Sequence, residues 1–232
     1  MAESVSPSEE QLPTVIPVFP LLGALLLPRG EMPLNIFETR YVQMVRDAMG
    51  SDRIIGMVQP RSTPQSIAGG QGNDGAGLYE IGCAGRICSF AETDDGRFLI
   101  SLKGVSRFRI EEELSSLTPY RQMKVDYGDF EEDRAIPARR AGVDRDALLG
   151  SLTRFLEQRG LNAEWSSIEK APDELLVNSL AMICPFEPAE KQALLEARSL
   201  TERTQTMITL MEFSLADPTI DEDDDRPPQM PN

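Results

Sequence analysis

The chain changes its pattern partway along. Up to about residue 125 it is a succession of short β-prone runs cut by Gly and Pro, and from Val143 onward its apolar residues recur at helical spacing. Val15 to Phe19, Leu25 to Leu27, Arg53 to Val58 and Leu78 to Phe90 are expected as strands, the last bent at Gly82 and Gly85. Asp94-Asp95-Gly96 is a hairpin signal. Arg97 to Leu102, Val105 to Ile110 and Tyr120 to Val125 follow it, with a kink at Gly104. Many short strands with Gly-marked bends point to a small closed or partly closed barrel. One helix interrupts them. In NIFETRYVQMVRDAMG, Tyr41, Val45, Ala48 and Met49 share a face that Phe37 and Met44 adjoin. Asn35 followed by Glu38 resembles a capping box, and Gly50 is the expected stop.

The second half reads as helices: Val143 to Arg159 stopped by Gly160, Pro172 to Ile183, and Pro188 onward through about Leu215. On the last of these, Leu200, Thr204, Met207, Ile208, Met211 and Leu215 fall on one arc, with Leu210 and Phe213 outside it. The expected fold class is therefore α+β. Residues 1–12 form a disordered tail, 13–130 a β-rich subdomain, 131–142 a linker, 143–216 a helical bundle and 217–232 a disordered acidic tail. The Gly- and Gln-rich stretch from Thr63 to Gly77 is expected as a mobile loop.

Composition narrows the chemistry. The chain has no histidine, which excludes Ser-His-Asp and Cys-His catalysis and HExxH zinc sites. Its three cysteines, Cys83, Cys88 and Cys184, are too few for a four-sulfur zinc site and odd for a disulfide framework. They read as small buried hydrophobes, and a reducing cytoplasm is the expected location. The first residues carry Glu3, Glu9 and Glu10 and no basic residue, so no secretory leader is expected. The net charge of −15, concentrated in part in the run from Asp217 to Asp225, repels phosphate backbones. None of the lysines Lys103, Lys124, Lys170 and Lys191 follows a glycine, so there is no phosphate-cradling GxxxxGK motif. The carboxylates Glu111, Glu112 and Glu113 read as a solvated run. No catalytic constellation, metal site or cofactor site stands out.

One resemblance covers most of the chain. Val18-Phe19-Pro20-Leu21, Leu27-Pro28-Arg29-Gly30 and the run from Pro33 to Tyr41 (PLNIFETRY) stand in the order found at the N-terminus of the ATP-dependent protease Lon. Tyr79 to Ala84, Asp95 to Phe98, Lys103 to Phe108, Pro119-Tyr120-Arg121 and Glu190 to Glu196 continue it. The chain resembles a Lon N-terminal, substrate-binding domain over about residues 13–216, as a stand-alone protein without the ATPase and protease domains. The resemblance implies a PUA-like β pseudo-barrel with one inserted helix, followed by a helical bundle. It also implies a non-enzymatic polypeptide-recognition module, an adaptor or holdase for unfolded or damaged proteins. A protease or chaperone is the other partner class, with no nucleic acid, membrane, metal or cofactor.

The residues expected to contact polypeptide are Met32, Met207, Leu210, Met211 and Phe213, since flexible, polarizable methionines suit promiscuous apolar binding. The motif residues Pro33, Leu34, Phe37, Glu38, Arg40 and Tyr41 are expected to be structural. Phe37 and Tyr41 would pack the helix onto the sheet, Glu38 would cap it and Arg40 would pair with a carboxylate. The alternatives are a cryptic ATP-independent hydrolase, and a PUA-like RNA binder using a patch of Arg107, Arg109 and Arg121.

Overall fold

A computed structural model describes residues 11–61, 77–135 and 142–216. Most of the expected N-terminal tail, nearly all of the Thr63 to Gly77 loop, half of the expected linker and the acidic C-terminal tail lie outside these residues. The fold is mixed α+β. In chain order it runs β1 (Val15–Pro20), β2 (Glu31–Ile36), α1 (Thr39–Met49), β3 (Ile54–Val58), β4 (Ile81–Glu92), β5 (Phe98–Leu114) and β6 (Gln122–Asp126). A 3-10 helix (Gly128–Arg134) follows. Then come α2 (Arg145–Gln158), α3 (Trp165–Lys170), α4 (Asp173–Ile183), α5 (Pro188–Glu196) and α6 (Leu200–Ala216).

The sheet has the order β2-β5-β4-β3-β1-β6, and β5 also pairs with β6. Pairing therefore runs round a ring from β5 through β4, β3, β1 and β6 back to β5, with β2 added outside it. The length of β5 makes this possible: Phe98 to Lys103 pairs with β2, and Arg109 to Leu114 pairs with β6. Register shifts near Gly85, Cys88 and Glu111 bend the strands between these partners. Among the described strands only β1 and β3 pair in parallel, and the connection between them carries β2 and α1.

Inside the ring, Ile16, Val18, Ile54, Val58, Ala84, Phe108, Met123 and Val125 pack as one buried cluster, and Leu12 joins them. Phe108 needs room, and Gly82 provides it: a Cβ there would sit 2.6 Å from the Phe108 ring. Gly104 has the tighter constraint, because a Cβ would collide with the carbonyl oxygen of Leu27. Instead of kinking the chain into two strands, Gly104 lets the 27–30 segment dock on an unbroken β5.

That segment departs from expectation. Leu25, Leu26 and Leu27 are all buried and form no strand. The Gly30 N–H bonds back to the Leu27 carbonyl at 2.9 Å, so the segment closes in a turn instead of running on as a ladder. The strand begins after it, at Glu31. Asn35 consequently lies in β2 opposite Leu99, and the expected capping box does not form. The helix starts at Thr39 with Glu38 as N-cap, and the Glu38 side chain makes no cap bond. Tyr41, Met44, Val45 and Ala48 form its buried face.

The chain divides into two compact units, one of residues 1–138 with 178–196 and one of 139–177 with 197–232. In the first, α5 is tied to the sheet by buried amides. Gln59 accepts from the Gly23 N–H (3.1 Å) and donates to the Pro188 carbonyl (2.9 Å). Gln192 donates to the Ile81 carbonyl (3.2 Å) and to Glu196 (2.7 Å). The Lys191 ammonium donates to the Gly23 carbonyl at 2.9 Å, and burial lowers its pKa. In the second unit, Leu148, Leu152 and Phe155 of α2 and Met207 and Met211 of α6 are fully buried. Arg145 closes the end of α3, donating to the carbonyls of Ile168, Glu169 and Ala171 and to Asp173.

Candidate functional site

The outer face of β2, β5 and β4 is built by register. Asn35, Leu99 and Ala91 stand directly opposite one another across three strands, and all are exposed. The next row is Pro33, Ser101 and Ser89, and the one after it is Glu31, Lys103 and Arg86. The face thus grades from charged to apolar toward the β4–β5 hairpin. Leu99 is 45% exposed, and Phe37, the residue after β2, is 65% exposed at the same end. Phe90 is 40% exposed and lies against the buried Phe98 with ring centroids 4.8 Å apart. Phe90 pairs with Ile100, so it stands on the opposite face from Leu99. Apolar side chains therefore reach solvent on both faces of one sheet end.

The sequence-predicted residues fare differently. Tyr41 is buried against Phe19 with ring centroids 4.4 Å apart. Arg40 pairs with a carboxylate, that of Glu38 at 2.8 Å. Phe37 does not pack the helix onto the sheet; it faces solvent because β2 runs up to Ile36 and its alternation turns the next side chain outward. Pro33 is exposed and Leu34 half-buried. Of the methionines, Met207 and Met211 have no exposed surface and Met32 is half-buried. Leu210 is half-buried and Phe213 is 63% exposed. Met32 belongs to the sheet unit and the other four to the helical unit. Cys83 and Cys184 are buried, but Cys88 is exposed, since the register shift beside it turns it out of the sheet interior.

The three arginines of the possible basic patch are each held by carboxylates. Arg107 is buried, with Nε and Nη2 both 2.9 Å from the Asp133 carboxylate, Nη1 donating to the Leu195 carbonyl at 3.0 Å, and its guanidinium 4.6 Å from the Phe130 ring centre. Arg109 donates to Asp129 (2.8 and 3.0 Å) and to Glu80 (3.4 Å), and the Asp129 bond raises its pKa. Arg121 donates twice to Glu113, which holds that carboxyl below its usual range. Among the described residues, no three His, Cys, Asp or Glu side chains are placed to hold a metal ion. No described helix is long and apolar enough to cross a membrane.

The family model of the ATP-dependent protease La (LON) substrate-binding domain matches residues 15–212. Lon protease 2 of Myxococcus xanthus is 24% identical over 205 residues, covering 88% of this chain and 24% of its own. Lon protease of Syntrophus aciditrophicus is 27% identical over 212 residues, covering 88% and 26%. The chain thus spans about a quarter of the length of these curated relatives. Two solved structures share the fold. A Lon N-terminal domain protein from Xanthomonas campestris has a TM-score of 0.59 at 21% identity, covering 84% of this chain and 98% of that one. The N-terminal domain of Lon protease from the Mycobacterium avium complex has a TM-score of 0.58 at 17% identity, covering 85% and 98%. With most of its length matched by the family model, the chain belongs to the family of the substrate-binding domain of the ATP-dependent protease La (Lon).

Proposed function

We propose that this chain is a non-catalytic polypeptide-recognition module. It takes apolar segments of unfolded or damaged proteins and acts in the cytoplasm as an adaptor or holdase. The observation that carries the reading is the solvent-facing apolar end of the sheet, with Phe37, Leu99 and Phe90, in a chain of the substrate-binding family. Exposed aromatic and aliphatic side chains grouped at one end of a sheet are characteristic of surfaces that bind other chains. The ring of pairings through β5 supports a PUA-like pseudo-barrel as the scaffold that holds them. For RNA to bind at Arg107, Arg109 or Arg121, phosphates would have to displace carboxylates already in place, which supports a polypeptide rather than a nucleic acid as the partner.

The test is a fluorescence anisotropy titration with labelled lactalbumin that has been reduced and carboxymethylated, and so cannot refold. Saturable binding, uncompeted by native lactalbumin, is expected. Absence of binding, or equal competition by the native form, would overturn the reading.

A further inference from the structure

β2 is the end strand of the sheet order, and among the described residues no strand pairs with its outer side. Two backbone bonds fix which of its groups point outward. The Thr93 N–H donates to the Arg97 carbonyl, so in the stretch of β5 that pairs with β2 the odd-numbered residues Leu99, Ser101 and Lys103 face β4. The Gly104 N–H donates to the Gly30 carbonyl, so the even-numbered residues of the same stretch, Phe98, Ile100 and Leu102, face β2. The register then commits Met32, Leu34 and Ile36 to bonds with β5 and leaves Glu31, Pro33 and Asn35 bonding outward. All three outward residues are exposed. Pro33 lacks an N–H but stands where no bond to β5 is lost, the position at which a sheet tolerates proline. The outer edge thus offers the N–H groups of Glu31 and Asn35 and the carbonyls of Glu31, Pro33 and Asn35.

The side chains carry the same period. Met32 and Leu34 lie on the inner face and are half-buried, whereas their partners on β5, Leu102 and Ile100, are buried. The sheet stops one strand short of covering Met32 and Leu34.

We infer that β2 takes an extended segment of a bound polypeptide as an additional strand, with apolar side chains at alternate residues covering Met32 and Leu34. The inference rests on the polypeptide-recognition reading and gives it a binding mode. Outward bonding groups that alternate with half-covered apolar side chains match the two-residue period of a strand, which a helix does not share. A second copy of the chain is a poor occupant, since each copy carries a net charge of −15 and brings its own proline to the shared edge. An apolar, neutral or basic segment meets neither obstacle. Leu99 adds apolar surface on the opposite face of the same strands, and Phe37 follows the end of β2.

Backbone methylation tests this directly. The probe is a fluorescein-labelled nine-residue peptide of alternating valine and threonine with a lysine at each end. Two further versions carry N-methyl groups on all valines or on all threonines. Only one of these sets points its N–H groups at β2. One methylated peptide should therefore bind at least about tenfold more weakly, while the other keeps the parent affinity. Loss on threonine methylation would mark an antiparallel added strand, and loss on valine methylation a parallel one. Pro33→Val restores an outward donor and should tighten the parent peptide severalfold, with thermal denaturation confirming the fold.

Equal binding of all three peptides, or no effect of Pro33→Val, would overturn edge pairing and leave polypeptide recognition standing. Binding of carboxymethylated lactalbumin without binding of the parent peptide would do the same. Failure of both probes would overturn both readings.

Discussion

Arg107 and Asp133 hold three parts of the sheet unit together. The guanidinium reaches the Asp133 carboxylate, the Leu195 carbonyl and the Phe130 ring, and the Arg107 backbone N–H also donates to Asp133 at 2.9 Å. Removing the acid strands a buried cation, which is costlier than the net worth of the pair. Asp133→Ala should cost about 3–5 kcal/mol in urea unfolding. A loss under about 1 kcal/mol would mean that the pair is solvated. Arg107 lies in a motif that resembles Lon, but Asp133 was hidden in a polar stretch that reads as linker, because a single Asp carries no local sign of burial. Tyr120 is a second residue whose state is set at long range. Burial and its 2.7 Å bond to Asp47 push the phenol pKa up to about 12. A raised folded-state pKa favours the protonated phenol. Its stabilising contribution is therefore complete below about pH 10 and is lost as pH rises through about 12. The stability difference between the wild type and Tyr120→Phe should shrink over that window. A difference independent of pH would contradict the assignment.

At the scale of elements, the β2–α1 junction shows what a sequence pattern can and cannot settle. The helical face of Tyr41, Val45 and Ala48 was legible from spacing, and so were Gly50 and the hairpin at Asp94-Asp95-Gly96. β2 was not, since Met32-Pro33-Leu34-Asn35 contains a proline and little β-branching and owes its strand state to pairing with β5. The helix starts later than the Asn35–Glu38 spacing predicts for the same reason: Asn35 is held in that ladder and is not free to cap. The junction separates two aromatic residues four apart. Phe37→Ser should change unfolding stability by no more than about 0.5 kcal/mol, as at other exposed sites. Tyr41→Ala should cost about 3 kcal/mol, because Tyr41 is buried against Phe19. A large loss for Phe37→Ser in denaturant titration would place Phe37 in the core and remove it from the binding surface.

For the whole molecule, the order of β-rich and helical segments follows from the change in periodicity, but the grouping of the helices does not. Residues 178–196 belong with the sheet, through Gln59, Gln192 and Lys191, whose partners lie more than a hundred residues away in sequence. No local pattern encodes such bonds. The candidate surface was legible only in kind. Met207 and Met211 are apolar and periodic, and that is why they are buried, whereas Phe37 and Leu99 are exposed by strand register, which spacing on one strand does not fix. The acidic charge of the chain adds a condition: attraction to basic segments should weaken with salt, while apolar contacts should persist.

The central claim is that the Phe37–Leu99 end of the sheet binds unfolded chains. The most direct measurement is the anisotropy titration of carboxymethylated lactalbumin against the wild type and the Phe37→Ser/Leu99→Ser double variant, with circular dichroism melts to match their stability. The account predicts at least a tenfold loss of affinity, about 1.4 kcal/mol or more, with the melting curve preserved. Equal affinity of a folded double variant would contradict it.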